Sequence, residues 1–287
     1  MEIVLALGSA IAYGVSDFTG GVLAKRAHVF NVILLSQLVS CLILVLALPF
    51  WDGSFSSEAL QWGIVAGVAG MAGAALLYRG LAIGRMGVVA PITAVLAAVI
   101  PLSFGLAVGE RPGWLSLIGV GIGLGAVVLI SSSSEPEEAA GGTVGEPLPS
   151  SGGRGILEAL GAGAGFGLFF ILLERAPDGS GIWPLAGTRI SMIGAVALLA
   201  ALTHAPFRPS TGMVPSLVLL GFTNLAADLL YLLATRAGLL SLVAVITSLY
   251  PAATVALARG LLGERMVKQQ LLGMGFAALS VTFIALS

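Results

Sequence analysis

A few ionisable side chains stand inside long apolar segments of this sequence. They are Asp17, Arg79, Glu174, Arg189 and Asp228. A charged group at the centre of a bilayer costs about 2.5–3.5 kcal/mol on insertion scales, so such residues mark ion or substrate pathways unless they merely neutralise each other. The opposite signs favour ion pairs over the two carboxylates of a general acid–base site.

Polar and aromatic residues accompany these charges. Asn224, Asp228 and Tyr231 are spaced i, i+4 and i+7, which places them on one helical face. This stripe predicts the lining of a cavity, although interhelical hydrogen bonds of about 0.6 kcal/mol each explain Asn224 equally well. The whole predicted substrate cavity comprises Tyr13, Asp17, Gln37, Tyr78, Thr93, Asn224, Asp228, Tyr231, Thr247 and Tyr250.

Prolines inside apolar segments point to the same pathway. Pro91, Pro101 and Pro251 each remove one backbone hydrogen bond, which is tolerated in a membrane mostly beside a cavity or a hydroxyl group. We predict helix kinks at these three positions, with kinked packing as the alternative to a role in the pathway.

Several kinds of chemistry are excluded by what the chain lacks. One cysteine, Cys41, and two isolated histidines, His28 and His204, predict no metal site. Neither H-E-x-x-H nor G-x-S-x-G occurs, and no G-x-x-x-x-G-K-[ST] is present, so we expect neither an enzyme nor nucleotide hydrolysis, and no cofactor. Any energy for movement along such a pathway would then come from a gradient or from exchange, with Asp17 and Asp228 as candidate proton carriers.

The composition places these residues in a membrane protein. Hydrophobic residues make up 57% of the 287 residues, charged residues only 9%, and the mean hydropathy is +1.05. A net charge of −1 without a Lys/Arg cluster predicts no nucleic-acid partner. The first apolar segment has no basic region before it and is expected to be retained as a span.

Ten apolar stretches are long enough to cross a bilayer. We place them near 3–22, 30–50, 60–78, 86–108, 113–131, 155–173, 182–203, 213–233, 240–262 and 269–287. Between the fifth and sixth stretches, residues 132–154 are rich in Ser, Gly, Pro and Glu and predict a flexible linker. The linker separates a first domain, 1–131, from a second, 155–287.

The two domains contain a repeated segment. Residues 87–111 match residues 241–265 without gaps at an offset of 154, and both copies end in Gly-Glu-Arg, at 109–111 and 263–265. Because each half holds five predicted spans, the second half must enter the membrane from the opposite side. The predicted fold is therefore an all-α membrane protein with ten transmembrane helices in two inverted five-helix repeats.

Glycines four residues apart predict close helix packing. Each pair lies on one helical face, where small residues let two backbones approach. The pairs are Gly63/Gly67, Gly119/Gly123, Gly121/Gly125, Gly161/Gly165 and Gly163/Gly167.

The up-and-down path of the helices suggests which charges could meet. Arg189 and Asp228 lie at depths that agree within about one helical turn of 5.4 Å at one mouth, with Glu174 as an alternative partner. The inverted repeat places Asp17 and Arg79 together at the other mouth. We therefore predict two ion-paired gates, with static neutralisation, or an Arg79 that reaches the headgroups, as the alternative.

The sequence resembles the drug/metabolite transporter superfamily, in particular its EamA-type ten-helix members. The resemblance rests on the paired segments ending in Gly109-Glu110-Arg111 and Gly263-Glu264-Arg265, on Tyr78-Arg79, and on the opening segment Ala12–Phe18. It implies a secondary transporter or exporter of small metabolites, with a cavity built mainly by the first four helices of each repeat. Glu110 and Glu264, at helix ends beside water, are expected to fix turns and not to bind substrate.

These observations predict a transporter that works by alternating access, with a lipid-translocating or channel-like protein as the alternative. The expected partners are a small-molecule substrate and the lipid bilayer, with proton coupling, and the expected state is a monomer or weak homodimer. The expected location is a bacterial inner (cell) membrane, which the chain would cross many times. Family resemblance implies cytoplasmic termini, whereas the distribution of Lys and Arg favours the reverse orientation.

Overall fold

Helices make up nearly all of the chain that the structure describes. The computed structural model describes residues 1–24, 27, 29–83, 86–131, 155–202, 211–262 and 267–286, and no strand occurs among them. The predicted linker, 132–154, and the triplet 263–265 lie outside the described residues. The helices are α1 Glu2–Ala24, α2 Val29–Ala47, α3 Ser57–Ile83, α4 Met86–Ala107, α5 Trp114–Ser131, α6 Ile156–Glu174, α7 Trp183–Leu202, α8 Val214–Ala237, α9 Leu240–Thr247, α10 Tyr250–Leu262 and α11 Lys268–Ala285.

Most of these helices are long and apolar enough to span a bilayer. Within the described ranges, eight stretches meet that condition by length and composition, one of them formed by α9 and α10 together. α4 contributes a shorter apolar stretch, Ile92–Ala107. The prediction of an all-helical, multi-span chain is confirmed, whereas the number of ten spans stays a prediction.

The offset of 154 extends beyond the repeated segment to further helices. α5 begins at Trp114 and α11 at Lys268, and α2 begins at Val29 and α7 at Trp183, so both pairs of helix starts differ by this offset. The most extensive contacts between helices follow the same relation. α3 packs on α6 in the way that its counterpart α8 packs on α1, so each half contacts the other by equivalent helices.

Backbone contacts establish the direction of the two halves. The N–H of Ser54, after α2, donates to the carbonyl of Gly179, after α6, at 3.2 Å, so α2 and α6 end at the same face. α1 ends at the opposite face, where α2 begins. The first helices of the two halves, α1 and α6, therefore run in opposite directions, as an inverted repeat requires.

Both ends of the described chain lie at the face where α2 and α6 end, which we call the termini face. Arg236, near the end of α8, donates to the Gly181 carbonyl in the segment after α6 at 2.9 Å. Glu2, at the start of α1, lies against Gly238, just after α8. α11 runs antiparallel to α5 and ends beside its first turns, since Gly119 packs against Ile284 and Gly273 against Ile130.

Close glycine contacts join the helices, as the four-residue spacing predicts. Gly63 of α3 packs against the backbone of Pro184 and Gly187 in α7, where an added Cβ would collide. In α5 the structure separates two faces that the sequence does not distinguish. Gly119 and Gly123 contact α11, whereas Gly121 and Gly125 have no neighbour within 4 Å among the described atoms.

The prolines act differently in the two halves. The ninth predicted span is interrupted at Ser248 and Leu249, just before Pro251, which has no N–H to donate to the Thr247 carbonyl. α4 continues without interruption through Pro91 and Pro101. The side chain of Pro91 lies outside the described part of the structure. The two halves are inverted repeats in backbone direction, yet α4 is continuous and its counterpart is divided into α9 and α10.

Candidate functional site

Arg189 and Asp228 form an ion pair inside the helix bundle. A guanidinium Nη2 of Arg189, in α7, donates to Oδ2 of Asp228, in α8. The Arg189 and Asp228 residues are 0% and 2% exposed, so water does not screen the pair. Removal of one partner would leave an uncompensated buried charge.

Three further side chains complete a central polar network, which we define as Tyr13, Gln37, Arg189, Asn224 and Asp228. The Tyr13 hydroxyl donates to Asp228 Oδ1 at 2.5 Å. Arg189 Nη1 donates to Gln37 Oε1 at 2.8 Å and to Asn224 Oδ1 at 3.0 Å. Gln37 Nε2 in turn donates to Asn224 Oδ1 at 3.4 Å. Asp228 accepts the hydrogen bonds of both Tyr13 and Arg189.

The network joins the two halves near the middle of the bundle. Tyr13 and Gln37 come from α1 and α2 of the first half, and Arg189 and Asp228 come from α7 and α8 of the second. Tyr13 lies near the midpoint of α1, and Gln37 near the midpoint of α2. The ion pair predicted for one mouth is therefore tied to residues at mid-depth, where an alternating-access pathway has its binding site.

The repeat does not duplicate this network. At the offset of 154, Leu35 and Ala74 occupy the positions of Arg189 and Asp228, and Gly167 occupies that of Tyr13. The same bundle geometry is therefore built with apolar residues in the first half. Helix packing therefore does not require the charges of Arg189 and Asp228, which favours a functional role for this pair.

The pair predicted for the second gate, Asp17 with Arg79, does not form in this structure, and the gate itself stays a prediction. Arg79 pairs with Glu158 of α6, with its Nε 3.4 Å from Oε1, and the Arg79 side chain is 72% exposed. The reason is the packing of their helices: α3 lies against α6 and α7, whereas α1 lies against α8 and α10.

Glu174 is not a partner of Arg189 either. Its carboxylate lies 3.9 Å from the neighbouring Arg175 at the end of α6. Arg189 instead uses Asp228, which lies deeper in the bundle. The role of Arg189 and Asp228 as a gate stays a prediction.

Asp17 occupies an accessible position next to the network. It follows Tyr13 by four residues on α1, hence on the same helical face, and its side chain is exposed. Among the described residues it has no cationic partner within 4 Å. Tyr250, at the start of α10, is half-buried with its ring centroid 6.3 Å from that of Tyr13. Asp17, Tyr13 and Tyr250 therefore form the accessible edge of the site.

Other predicted lining residues are buried in structural positions. Tyr231 is 0% exposed, donates to the Phe170 carbonyl at 3.3 Å and packs on the Phe170 ring. The Thr93 hydroxyl donates to the Ala159 carbonyl at 3.3 Å. Thr247 is buried beside the break before α10, and its hydroxyl finds no partner within the described chain. The side chain of Tyr78 lies outside the described residues.

A family comparison fits this architecture. The model of the EamA-like transporter family matches residues 1–132 and 153–286, one match in each half. The chain belongs to the EamA-like transporter family. This confirms the resemblance seen in the sequence, identifies a multi-pass integral membrane protein of a transporter family, and argues against an enzyme.

Solved structures agree with the fold. A crystal structure described only as a protein superposes with a TM-score of 0.73 at 16% sequence identity, covering 97% of this chain and 96% of that chain. At that identity the likeness concerns the fold alone. Among curated proteins, no match is found.

In this family member, the termini face is closed by contacts between the halves. Arg175, directly after α6, lies over the Phe104 ring of α4, with its Cζ 4.9 Å from the ring centroid. Phe55 and Trp183 meet edge to face, with ring centroids 4.9 Å apart. The segments 51–56 and 175–182 are joined by the Ser54–Gly179 bond. These contacts join the two halves across the described part of this face.

Glu110 contributes to that closure in a way the sequence analysis missed. Its carboxylate accepts the backbone N–H groups of Leu240 and Ser241, at 2.7 and 2.9 Å, at the start of α9. We expected a turn-fixing role at a wet helix end, yet the acceptor reaches across to the other half. The repeated Gly-Glu-Arg triplet marked Glu110 as notable in the sequence. Its partner could not be predicted, because it depends on which helix lies opposite in the tertiary structure.

Proposed function

We propose that this protein is a secondary active transporter that exports a small metabolite by alternating access between its two halves. The observation that carries the proposal is the central polar network, which joins α1 and α2 to α7 and α8 at mid-depth. A site between two inverted halves can be exposed first to one side and then to the other by a rocking motion.

The energetic cost of the network supports a role in transport. Buried ion pairs are weak contributors to stability because desolvation offsets much of their attraction. Since the first half builds equivalent positions from Leu35 and Ala74, packing alone does not require Arg189 and Asp228. We propose that a polar substrate replaces contacts within the network as it binds.

Coupling to protons is the proposed energy source. The chain contains no phosphate-binding loop of the nucleotide-hydrolysing type. Asp17 lies exposed one helical turn from Tyr13 on α1, and the Tyr13 hydroxyl donates to Asp228, so both candidate proton carriers are next to Tyr13. We propose that these carboxylates exchange protons with the accessible side during the cycle. The proposed location is a bacterial inner membrane, with the protein acting as a monomer or weak homodimer.

Counterflow in proteoliposomes tests the transporter proposal. Candidate substrates are first selected from a metabolite library by ligand-induced thermal shifts of the purified protein, since a bound ligand raises apparent stability. Vesicles loaded with unlabelled ligand are then diluted into labelled ligand. Transient accumulation of label above equilibrium, absent from protein-free vesicles, supports a carrier. Equilibration without overshoot, or movement of fluorescent lipid between leaflets in its place, would overturn the proposal in favour of a channel or a lipid translocator.

A further inference from the structure

The break between α9 and α10 frees backbone carbonyls that a continuous helix would occupy. Pro251 has no N–H to donate. The N–H groups of Leu249 and Ala252 bond three residues back, to the Ile246 and Leu249 carbonyls at 3.1 and 2.9 Å, and not four residues back as in an α-helix. The carbonyls that thereby lose their helical donors are those of Val245, Thr247 and Ser248.

Two unpaired hydroxyl groups lie at the same break. Thr247 and Ser248 are both 0% exposed, and neither hydroxyl has a hydrogen-bond partner in the part of the chain that the structure describes. Burial of a polar group without a partner is costly. The first half avoids this cost, because the Thr93 hydroxyl donates to the Ala159 carbonyl and α4 is continuous. Ala94 stands where the second half has Ser248, so the unpaired oxygens are a property of the second half.

Oxygen atoms of these two kinds suit a small monovalent cation. The carbonyl end of a helix carries partial negative charge, and carbonyls at interrupted helices coordinate Na⁺ in carriers built from inverted repeats. None of these oxygens belongs to a carboxylate, whereas the divalent ions Ca²⁺ and Mg²⁺ are normally bound through carboxylates. Such a site uses neither cysteine nor histidine, so the scarcity of these residues does not exclude it.

The break lies next to the central polar network. α9 has 8 residues and begins at the termini face, so the break lies about 12 Å along its axis, near the middle of a bilayer core of about 30 Å. Gly14, directly after Tyr13, packs closely on the break, since an added Cβ would lie 2.8 Å from the Tyr250 carbonyl. Tyr250 also belongs to the accessible edge of the site, which gives an ion a route to the break.

We propose that the break between α9 and α10 is a binding site for Na⁺. The ligands are the carbonyl oxygens of Val245, Thr247 and Ser248 and the two hydroxyl oxygens of Thr247 and Ser248, and the ion enters beside Tyr250. The bound ion takes the place of the missing helical donors and stabilises the junction of the two helices. The site is separate from the proposed proton coupling, and ion binding does not require that the protein transports a solute.

Thermal unfolding of the purified full chain in detergent tests the site, with NaCl replaced by N-methylglucamine chloride at constant ionic strength. At about ten times the dissociation constant of Na⁺, we expect the parent to melt about 3–6 °C higher in NaCl. The double variant Thr247→Val with Ser248→Ala removes both hydroxyl ligands but no hydrogen bond of the described structure, so it should fold and lose the shift. Binding of radioactive Na⁺ to the same samples should be lost in parallel.

Ser241→Ala is the matched control. Ser241 is also 0% exposed with an unpaired hydroxyl, but it lies at the opposite end of α9, so this variant should keep the Na⁺ shift. Equal melting of the parent in the two salts, or a shift kept by the double variant, would overturn the site. Loss of the shift in Asp17→Asn would place the ion at that carboxylate and would also overturn it. If the double variant does not fold, Ser248→Ala, which copies Ala94, decides alone. Counterflow is scored separately, so failure of the transporter proposal remains distinguishable.

Discussion

Arg189 and Asp228 are paired with almost no exposure, on neighbouring helices of the second half, while their counterparts Leu35 and Ala74 in the first half carry no charge. The pair is held from the first half by Gln37 and Tyr13. Its environment therefore changes whenever the halves move relative to each other, which makes the pair the natural starting point for experiment.

The repeat itself supplies a substitution that separates stability from function. Asp228→Ala leaves Arg189 charged and unpaired and should lower the free energy of unfolding by about 3–5 kcal/mol. The double variant Arg189→Leu with Asp228→Ala, which copies Leu35 and Ala74, should recover most of that loss, because Gln37 and Asn224 keep their own bond. Thermal unfolding in detergent measures the recovery. We expect neither variant to catalyse counterflow; normal counterflow by the double variant would show that the pair is only static neutralisation.

The Tyr13 hydroxyl should matter more for transport than the hydroxyl of another buried tyrosine. Tyr13→Phe removes a 2.5 Å bond to a carboxylate, and bonds to charged groups contribute about 1.5–3 kcal/mol. We expect an approximately tenfold lower counterflow rate. Tyr231→Phe, which removes a 3.3 Å bond to the Phe170 carbonyl, is the control and should change thermal stability alone. Equal rates for the two variants would contradict a role of Tyr13 in the cycle.

Asp17→Asn should separate exchange from gradient-driven transport. Asp17 has no ion pair among the described residues and its side chain is exposed, so we expect little change in thermal stability. If Asp17 carries protons, the asparagine variant should retain counterflow, which needs no net proton movement, and lose accumulation driven by a pH gradient. Both are measured in the same proteoliposomes. Gradient-driven accumulation equal to that of the parent would remove Asp17 from the proton pathway.

Arg79→Gln should be nearly silent. In its pair with Glu158 the Arg79 side chain is 72% exposed, whereas that of Glu158 is 16% exposed, and pairs open to solvent contribute about 0–1 kcal/mol. We therefore expect the free energy of unfolding to lie within about 1 kcal/mol of that of the parent protein, and the counterflow rate to be unchanged. A strong loss of counterflow in well-folded protein would restore a gating role for Arg79, with Glu158 as its partner.

Two glycines in α5 test the helix packing. Gly119→Val should destabilise the protein, because the added atoms meet Ile284 and the Ser280 carbonyl of α11. Gly121→Val, two residues away on an open face, adds the same atoms where no described neighbour lies within 4 Å and should melt close to the parent. Similar melting temperatures for both variants would contradict the α5–α11 contact.

The sequence alone determined the membrane character, the two halves and their opposite directions. Hydropathy is a local property of each segment, and the offset of 154 with an odd number of predicted spans per half dictates inversion without coordinates. The same local reasoning identified Arg189 and Asp228, because a charge in an apolar helix is conspicuous wherever the helix packs. Hydropathy could not establish the number of ten spans. The last helix, α11, has a polar first turn before its apolar remainder and is not among the stretches that meet the criterion for a span.

Only the tertiary structure decided which groups meet. Depth along the membrane is readable from the helix path, but the partner of a side chain depends on which helix lies opposite, and that choice follows from backbone packing at small residues. Arg79 pairs with Glu158 because α3 packs on α6, and Glu110 caps α9 because α4 packs on α9. The two halves share the same backbone arrangement because the sequence is repeated. The central polar network depends on side chains that occur in only one half.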